Sequence, residues 1–283
     1  MACVVTAARK SSPGALETEL RRLVAASGAE VGLAFKTLDG RSQVLIEPDK
    51  SFHAASTMKV PVMIELFRQA RAGAISLSDT LQIRNEFHSI VDGSTFALSE
   101  GDDSDSLVYA AIGKSLTLEQ LNEAMITVSS NFATNLLIEK LGVGKIRATV
   151  DRLGASGMQV LRGVEDQKAF DKGLNNSTTA RGLLVLFDRL GRGKAVDPKS
   201  DAAMIAVLKR QKFNDAIPAG LPAGTEVAHK TGNITRIHHD AGIVYAKRPY
   251  VLVILVRGIQ EQKESAALMA RLSTAVYQAI EAH

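Results

Sequence analysis

The sequence has little of what several classes of protein depend on. It contains one cysteine, Cys3, among 283 residues, so it can form neither an internal disulfide nor a cysteine-rich metal site. It has no tryptophan and no dense run of Lys and Arg, and its net charge is only +4, so nucleic acid is not expected as a partner. No apolar run reaches the length of a membrane span.

The six histidines argue against a metal site, and the N-terminal stretch argues against a signal peptide within this sequence. Neither His-x-x-x-His nor HExxH occurs, and the adjacent His238 and His239 would point to opposite faces of a strand, which argues against a shared metal. The N-terminal stretch MACVVTAARKSSPGAL has no basic region before its short apolar patch. We therefore predict no metal site and no signal peptide in this chain.

What is present fits a soluble globular protein, with 46% hydrophobic and 23% charged residues. The period of the apolar residues predicts an α+β fold, because strands and helices at both ends flank a long helical middle. We predict an antiparallel-sheet domain from residues 14–50 together with 212–283, and an inserted all-helical domain over 51–211. The near-continuous apolar run 250–258 predicts a central buried strand. The active site is expected at the seam between the two domains.

Ser56 and Lys59 stand three residues apart at the start of an apolar helical run. Positions i and i+3 share a helix face, so the two side chains are expected to lie within hydrogen-bonding reach. A serine hydroxyl needs a base, and a lysine can serve if burial or nearby positive charge lowers its pKa. Pro61 independently places the helix start near Ser56. The pair predicts acyl-enzyme chemistry, although by itself it also fits an N-cap serine beside a solvated lysine.

Two further motifs follow in order. Ser129–Asn131 reads SSN in a break between predicted helices, and Lys230–Gly232 reads KTG on a predicted strand. With Ser56 and Lys59, this set resembles the S-x-x-K, S-D-N and K-T-G motifs of class A β-lactamases and penicillin-binding proteins. The resemblance extends from the N-terminal helix to the C-terminal one. It implies a β-lactamase/transpeptidase-like fold and no metal or organic cofactor.

The resemblance also implies a catalytic group and a substrate-binding group. The catalytic group, which attacks the carbonyl and moves protons, comprises Ser56, Lys59, Ser129 and Glu165. The binding group, which holds the substrate's carboxylate and amide, comprises Asn131, Lys230, Thr231, Gly232, Asn233 and Arg236. The backbone N–H groups of Ser56 and Asn233 would form the oxyanion hole. Taken alone, Ser129 also fits a helix-capping serine.

Two features of the segment that precedes the third motif depart from the family pattern. Ser130 stands where the pattern has Asp. The spacing of 73 positions between Ser56 and Ser129 is longer than expected of compact class A enzymes. We assign the excess to an acidic loop around 92–105 and interpret it as a solvated surface loop that could line one wall of the cleft.

The third departure concerns the residue that activates water. The family loop reads Arg-x-Glu-x-x-Leu-Asn, with one residue between Arg and Glu. Here two residues separate Arg162 from Glu165, and the Leu-Asn pair is absent. Glu165 therefore fits two interpretations. It is either the water-activating base or a loop-bracing carboxylate paired with Arg162 or Lys168.

The predicted function is a serine hydrolase that acylates Ser56 and then hydrolyses the acyl-enzyme, with a β-lactam ring amide as its substrate. A D-Ala-D-Ala peptidase or small-ester hydrolase would use the same site. A covalent β-lactam or peptidoglycan sensor without turnover would share the motifs as well. The expected partner is a small molecule. By resemblance, we expect a periplasmic or secreted monomer.

Overall fold

The computed structural model describes residues 13–282; Cys3 and the N-terminal apolar patch lie outside this range. The helices are α1 Pro13–Ser27, α2 Lys59–Arg71, α3 Leu118–Thr127, α4 Asn131–Leu141, α5 Val143–Leu153, α6 Gln167–Asp171, α7 Ala180–Gly191, α8 Pro198–Leu208 and α9 Gln262–Glu281. The strands are β1 Glu30–Thr37, β2 Gln43–Ile46, β3 Phe52–His53, β4 Thr80–Gln82, β5 Phe87–His88, β6 Thr95–Phe96, β7 Ser115–Thr117, β8 Ser177–Thr178, β9 Val227–Ile234, β10 Ile237–Val244 and β11 Tyr250–Arg257.

The terminal parts of the chain build one antiparallel sheet with the strand order β2-β1-β11-β10-β9. The central position of β11 confirms the prediction from its apolar run. The register pairs Phe35 with Leu252 and His239 with Gly232. Strand β9 lies at one edge of this sheet and carries the third motif.

Each face of the sheet packs against a different layer, because successive side chains of a strand point to opposite faces. Leu252 and Ile254 share an apolar cluster with residues of α1 and α9. Val251 and Val253 belong to the larger cluster, which includes the buried residues of α2, α4 and α7. The α+β architecture predicted from the sequence is confirmed. Within residues 13–282, no helix is both long enough and apolar enough to span a bilayer.

The middle segment 51–211 differs in detail from the expected all-helical insertion. It also contains short antiparallel strand pairs, β3 with β8, β4 with β7, and β5 with β6. The β3–β8 pair matters for the site because β3 leads directly into the turn that carries Ser56. These strands have only two or three residues each. A run that short has no readable period, which is why the sequence did not reveal them.

Candidate active site

Ser56 lies in a single 3-10 turn, Ala55–Met58, that runs directly into α2 at Lys59. The predicted helix start near Ser56 is therefore confirmed, with the first turn wound more tightly. Ala55 adopts φ +44°, a conformation that costs free energy for any residue with a Cβ. The Thr57 hydroxyl donates to the Ala54 carbonyl at 2.6 Å and holds the turn in place.

Lys59 is fully buried and aims its ammonium group at the second motif rather than at Ser56, so the hydrogen bond expected between those two side chains is not formed. Its Nζ donates to the Ser129 carbonyl at 2.7 Å, to the Ser129 hydroxyl at 3.2 Å and to Asn131 Oδ1 at 2.9 Å. Burial lowers the pKa of Lys59 to about 7, and the nearby carboxylates of Asp103 and Glu165 oppose this shift. A substantial fraction of Lys59 is therefore neutral near pH 7 and able to accept a proton.

Lys230 approaches the same hydroxyl from the edge strand β9. It is fully buried, and its Nζ lies 3.0 Å from the Ser129 Oγ and 2.9 Å from the Thr231 carbonyl. Burial, together with the positive charge of Lys59, holds the pKa of Lys230 well below its ordinary value. Two buried lysines thus converge on Ser129, which suits a hydroxyl that relays protons.

Ser129 itself does not cap a helix. The N-cap of α4 is Ser130, whose hydroxyl oxygen accepts from the Ala133 N–H at 3.2 Å. Ser129 stands one residue earlier with φ +62°, a left-handed conformation that is uncommon for residues other than glycine. The interpretation of Ser129 as a capping serine is therefore wrong, and its hydroxyl faces the two lysines.

Gly232 allows strand β9 to approach the turn that holds Ser56. A Cβ at this position would lie 3.0 Å from the Ser56 nitrogen and 3.1 Å from the Thr57 nitrogen. Contacts this short are tighter than most Cβ contacts, so a side chain here would force one of the two segments to shift by a few tenths of an ångström. Asn233 follows on the same edge and is exposed. The Ser56 and Asn233 backbone groups, predicted as an oxyanion hole, therefore lie on neighbouring segments.

Glu165 reaches the site from the loop before α6. The Asn131 side chain donates to its Oε1 at 2.7 Å, so Asn131 contacts both Lys59 and Glu165. The carboxyl is open to solvent, yet partial desolvation and the neighbouring Asp103 raise its pKa, while the Asn131 hydrogen bond opposes the shift. Glu165 also has φ +62°. Strained backbone of this kind is frequent at functional sites.

The loop-bracing interpretation of Glu165 is wrong, because its expected partners bind elsewhere. Arg162 donates to the Leu174 carbonyl at 2.8 Å, and Lys168 pairs with Asp92 at 2.7 Å. These contacts hold the loop without using Glu165.

Asn135, which the sequence analysis missed, supports the Glu165 loop from α4. Its side chain accepts from the Val164 N–H at 2.7 Å and donates to the Val164 carbonyl at 2.9 Å. Gly163 is required beside it, since a Cβ there would lie 2.5 Å from Asn135 Oδ1. Asn131 and Asn135 stand four residues apart on one helix face, and that spacing was a readable signal.

The acidic segment is solvated only in part, because Glu100 and Asp102 are exposed whereas Asp103 is not. Asp103 binds the start of α4, accepting from the Asn131 N–H at 3.1 Å and the Phe132 N–H at 2.8 Å. The residues just before this segment are tied to the Glu165 loop, because Asp166 accepts from the Ser89 hydroxyl at 2.8 Å and the Ile90 N–H at 2.9 Å. This part of the chain therefore contacts both segments that carry Ser129 and Glu165.

Arg236 makes its hydrogen bond outside the group of predicted site residues. It occupies the β9–β10 turn with φ +59°, and its guanidinium donates to the Gly258 carbonyl at 3.1 Å, on the side of β11.

A buried histidine, also missed from the sequence, braces the segment before Ser56. His239 Nε2 lies 2.9 Å from the His53 carbonyl, and its Nδ1 accepts from the Val256 N–H at 3.2 Å.

Comparison with known proteins gives a consistent result. The sequence model of the β-lactamase enzyme family matches residues 15–280. A β-lactamase of Streptomyces albus G is 28% identical over 84% of this chain and 76% of its own length. The crystal structure of a β-lactamase from Sphaerobacter thermophilus is 25% identical, with TM-score 0.82, over 93% of this chain and 97% of that one. A mutant of PBP-A, solved as an acyl-enzyme complex with penicillin G, is 26% identical, with TM-score 0.82, over 97% of this chain and 99% of that one.

The fold and the three motifs define a protein of β-lactamase/transpeptidase-like architecture. The chain belongs to the β-lactamase enzyme family, as a class A-like member. The family predicted from the sequence is confirmed.

Proposed function

We propose that this protein is a serine β-lactamase that opens the β-lactam ring through an acyl-enzyme on Ser56. The observation that carries the proposal is the convergence of two fully buried lysines on the Ser129 hydroxyl, 3.2 Å from Lys59 and 3.0 Å from Lys230. Burying two lysines at one hydroxyl is costly for stability, because desolvation disfavours their charged forms. It is a useful arrangement when protons must move between a nucleophile and a leaving nitrogen.

In the acylation step, the Ser56 Oγ attacks the carbonyl carbon while neutral Lys59 accepts the hydroxyl proton. Two backbone N–H groups, those of Ser56 and Asn233, stabilise the oxyanion. When the C–N bond breaks, Ser129 gives its proton to the leaving nitrogen and regains one from the adjacent lysines. Lys230 and Thr231 bind the substrate carboxylate.

In the deacylation step, ionised Glu165 takes a proton from a water molecule that attacks the ester carbonyl. The proton then passes to the Ser56 oxygen as the ester bond breaks, which restores the free enzyme. The open position of Glu165 leaves room for this water, and the Asn131 contact at 2.7 Å fixes its carboxylate beside Lys59. Raising the pKa of the Glu165 carboxyl makes it a stronger base than an ordinary glutamate.

The location and assembly state follow from the same proposal. A β-lactam is met at the cell envelope or outside the cell, so we place the protein there as a monomer acting on a small molecule. Size-exclusion chromatography with light scattering would test the monomer.

A time course of intact mass after addition of benzylpenicillin, with Ser56→Ala as the control, tests the function. Product accumulation over many turnovers without a persistent adduct is the expected result. One stable acyl group on the wild type would instead favour the covalent sensor or the peptidase. Undiminished labelling of Ser56→Ala would overturn the assignment.

A further inference from the structure

The carboxylate that binds the N–H groups at the start of α4 comes from outside the second motif. Ser130 stands where the family pattern has Asp, and Asp103, 27 positions earlier, supplies the negative charge. Asp103 Oδ1 accepts from the Asn131 N–H at 3.1 Å. Its Oδ2 accepts from the Phe132 N–H at 2.8 Å and from the Ser130 hydroxyl at 3.3 Å.

Together, Asp103 and Ser130 satisfy the whole start of the helix. An α-helix leaves its first four N–H groups without partners inside the helix. Asp103 accepts from the first two. The Ser130 hydroxyl accepts from the Ala133 N–H at 3.2 Å, and the Ser130 carbonyl accepts from the Thr134 N–H at 3.3 Å. A carboxylate at this end is also favoured by the helix dipole.

The same loop anchors the chain on both sides of Ser129. The Ser104 hydroxyl donates to the Val128 carbonyl, one residue before Ser129, and Asp103 holds Asn131, two residues after it. Ser129 has φ +62°. A non-glycine residue keeps that conformation only when its surroundings hold it there.

We propose that Asp103 is a positioning residue that holds Ser129 and Asn131 for proton transfer, replacing the aspartate missing from the second motif. This inference rests on the proposed function, since it concerns the reaction assigned to those two residues. Asp103 acts through the backbone of α4 rather than on the substrate. The acidic loop then has a defined role, because it carries the carboxylate that the motif lacks.

The test combines removal of the carboxylate with its return at the motif position. The single variant is Asp103→Ser, and the restoring variant is Asp103→Ser with Ser130→Asp. Glu100→Gln is the matched control, because it removes one negative charge from an exposed position of the same loop. For each protein, the acylation rate by benzylpenicillin is measured by intact mass, kcat and KM are measured with a chromogenic cephalosporin, and the melting temperature is recorded.

We expect Asp103→Ser to lower the acylation rate by about 10- to 100-fold, the usual effect of a displaced catalytic group, with a larger change in kcat than in KM. The restoring variant should regain most of this loss, and Glu100→Gln should match the wild type. A merely structural role would lower the melting temperature without this selective rescue.

Two results would overturn the inference. One is acylation of Asp103→Ser within about twofold of the wild type. The other is a folded restoring variant that is no faster than Asp103→Ser. If Asp103→Ser does not fold, Asp103→Asn, which keeps one acceptor oxygen, is compared with its own Ser130→Asp double variant by the same criteria. Absence of a Ser56-dependent adduct on the wild type would instead refute the proposed function.

Discussion

Asn131 donates its side-chain N–H to Glu165 at 2.7 Å while its Oδ1 accepts from Lys59 at 2.9 Å. Because a carboxylate only accepts and an ammonium only donates, one orientation of the amide satisfies both partners. Asn131 is the first residue of α4, so the helix fixes the spacing of the groups that we assign to acylation and deacylation. The two halves of the reaction can therefore be separated by substitution.

Glu165→Gln should stop turnover and leave acylation nearly intact. The amide keeps the size of the side chain but cannot accept a proton from water, and general-base catalysis contributes about 10²- to 10⁴-fold. A stable acyl adduct should then accumulate with benzylpenicillin in intact-mass measurements. Glu47→Gln is the control, since Glu47 is also a glutamate with positive φ but is exposed elsewhere. Turnover by Glu165→Gln at the wild-type rate would assign deacylation to another group.

The acylation rate of the wild type should rise with pH through about 7, the pKa to which burial lowers Lys59. The sign follows because the base works in its neutral form, whose fraction grows as pH rises. Single-turnover acylation between pH 5 and 9 measures this. Lys59→Arg, whose guanidinium stays protonated, should acylate poorly at every pH. A rate that is flat across this range would exclude Lys59 as the base.

Much of the site was predictable from local patterns. Ser56, Lys59 and the KTG run were identified because each motif lies within a few residues and starts or crosses a periodic element. The central strand β11 was predicted for the same reason. Arg236 was chosen by its nearness in sequence alone, and its side chain turned out to lie on the side of β11.

The remaining features depend on contacts between distant parts of the chain. Asp103 meets Phe132 over 29 positions, and His239 meets the His53 carbonyl over 186 positions. No period or short motif encodes such contacts. An acidic run in a loop is usually solvated, and only the free N–H groups of α4 make Asp103 an exception.

Asn135→Ala should impair deacylation more than acylation. It removes both hydrogen bonds to Val164, the neighbour of Glu165, at a cost of about 1–3 kcal/mol for the buried groups left unpaired. Burst kinetics with a chromogenic cephalosporin would separate the two steps, and urea unfolding would give the stability change. Gln167→Ala, at the exposed first position of α6, serves as the control. An equal loss in both steps would show that Asn135 supports the whole site rather than the Glu165 loop.

Gly232→Ala should slow acylation, because its Cβ would lie 3.0 Å from the Ser56 nitrogen. Either β9 or the Ser56 turn must shift by a few tenths of an ångström. Because a misplacement of about 1 Å at a reacting centre costs about 100-fold, we expect a loss of a few-fold. Gly144→Ala is the matched control, since nothing lies within 4 Å of its added Cβ. The control should acylate as the wild type does. Normal acylation by Gly232→Ala would mean that the strand edge is not part of the binding surface.

His239 should make the protein less stable in mild acid. Burial lowers the pKa of His239 to about 4, below the ordinary histidine value of about 6.5. Below about pH 6.5 the unfolded chain therefore binds a proton that the folded protein does not bind. The free energy of unfolding should therefore fall from about pH 6.5 to about pH 4, by ~3 kcal/mol from this residue.

Urea unfolding at several pH values measures the slope. His239→Gln, which retains a donor and an acceptor for the His53 and Val256 contacts, should flatten it, leaving the smaller contributions of His53 and His238, whose pKa values burial also lowers. His88→Gln, at an exposed position, should leave the slope unchanged. If His239→Gln unfolds with the same pH dependence as the wild type, the acid sensitivity arises elsewhere and His239 braces the Ser56 segment by its hydrogen bonds alone.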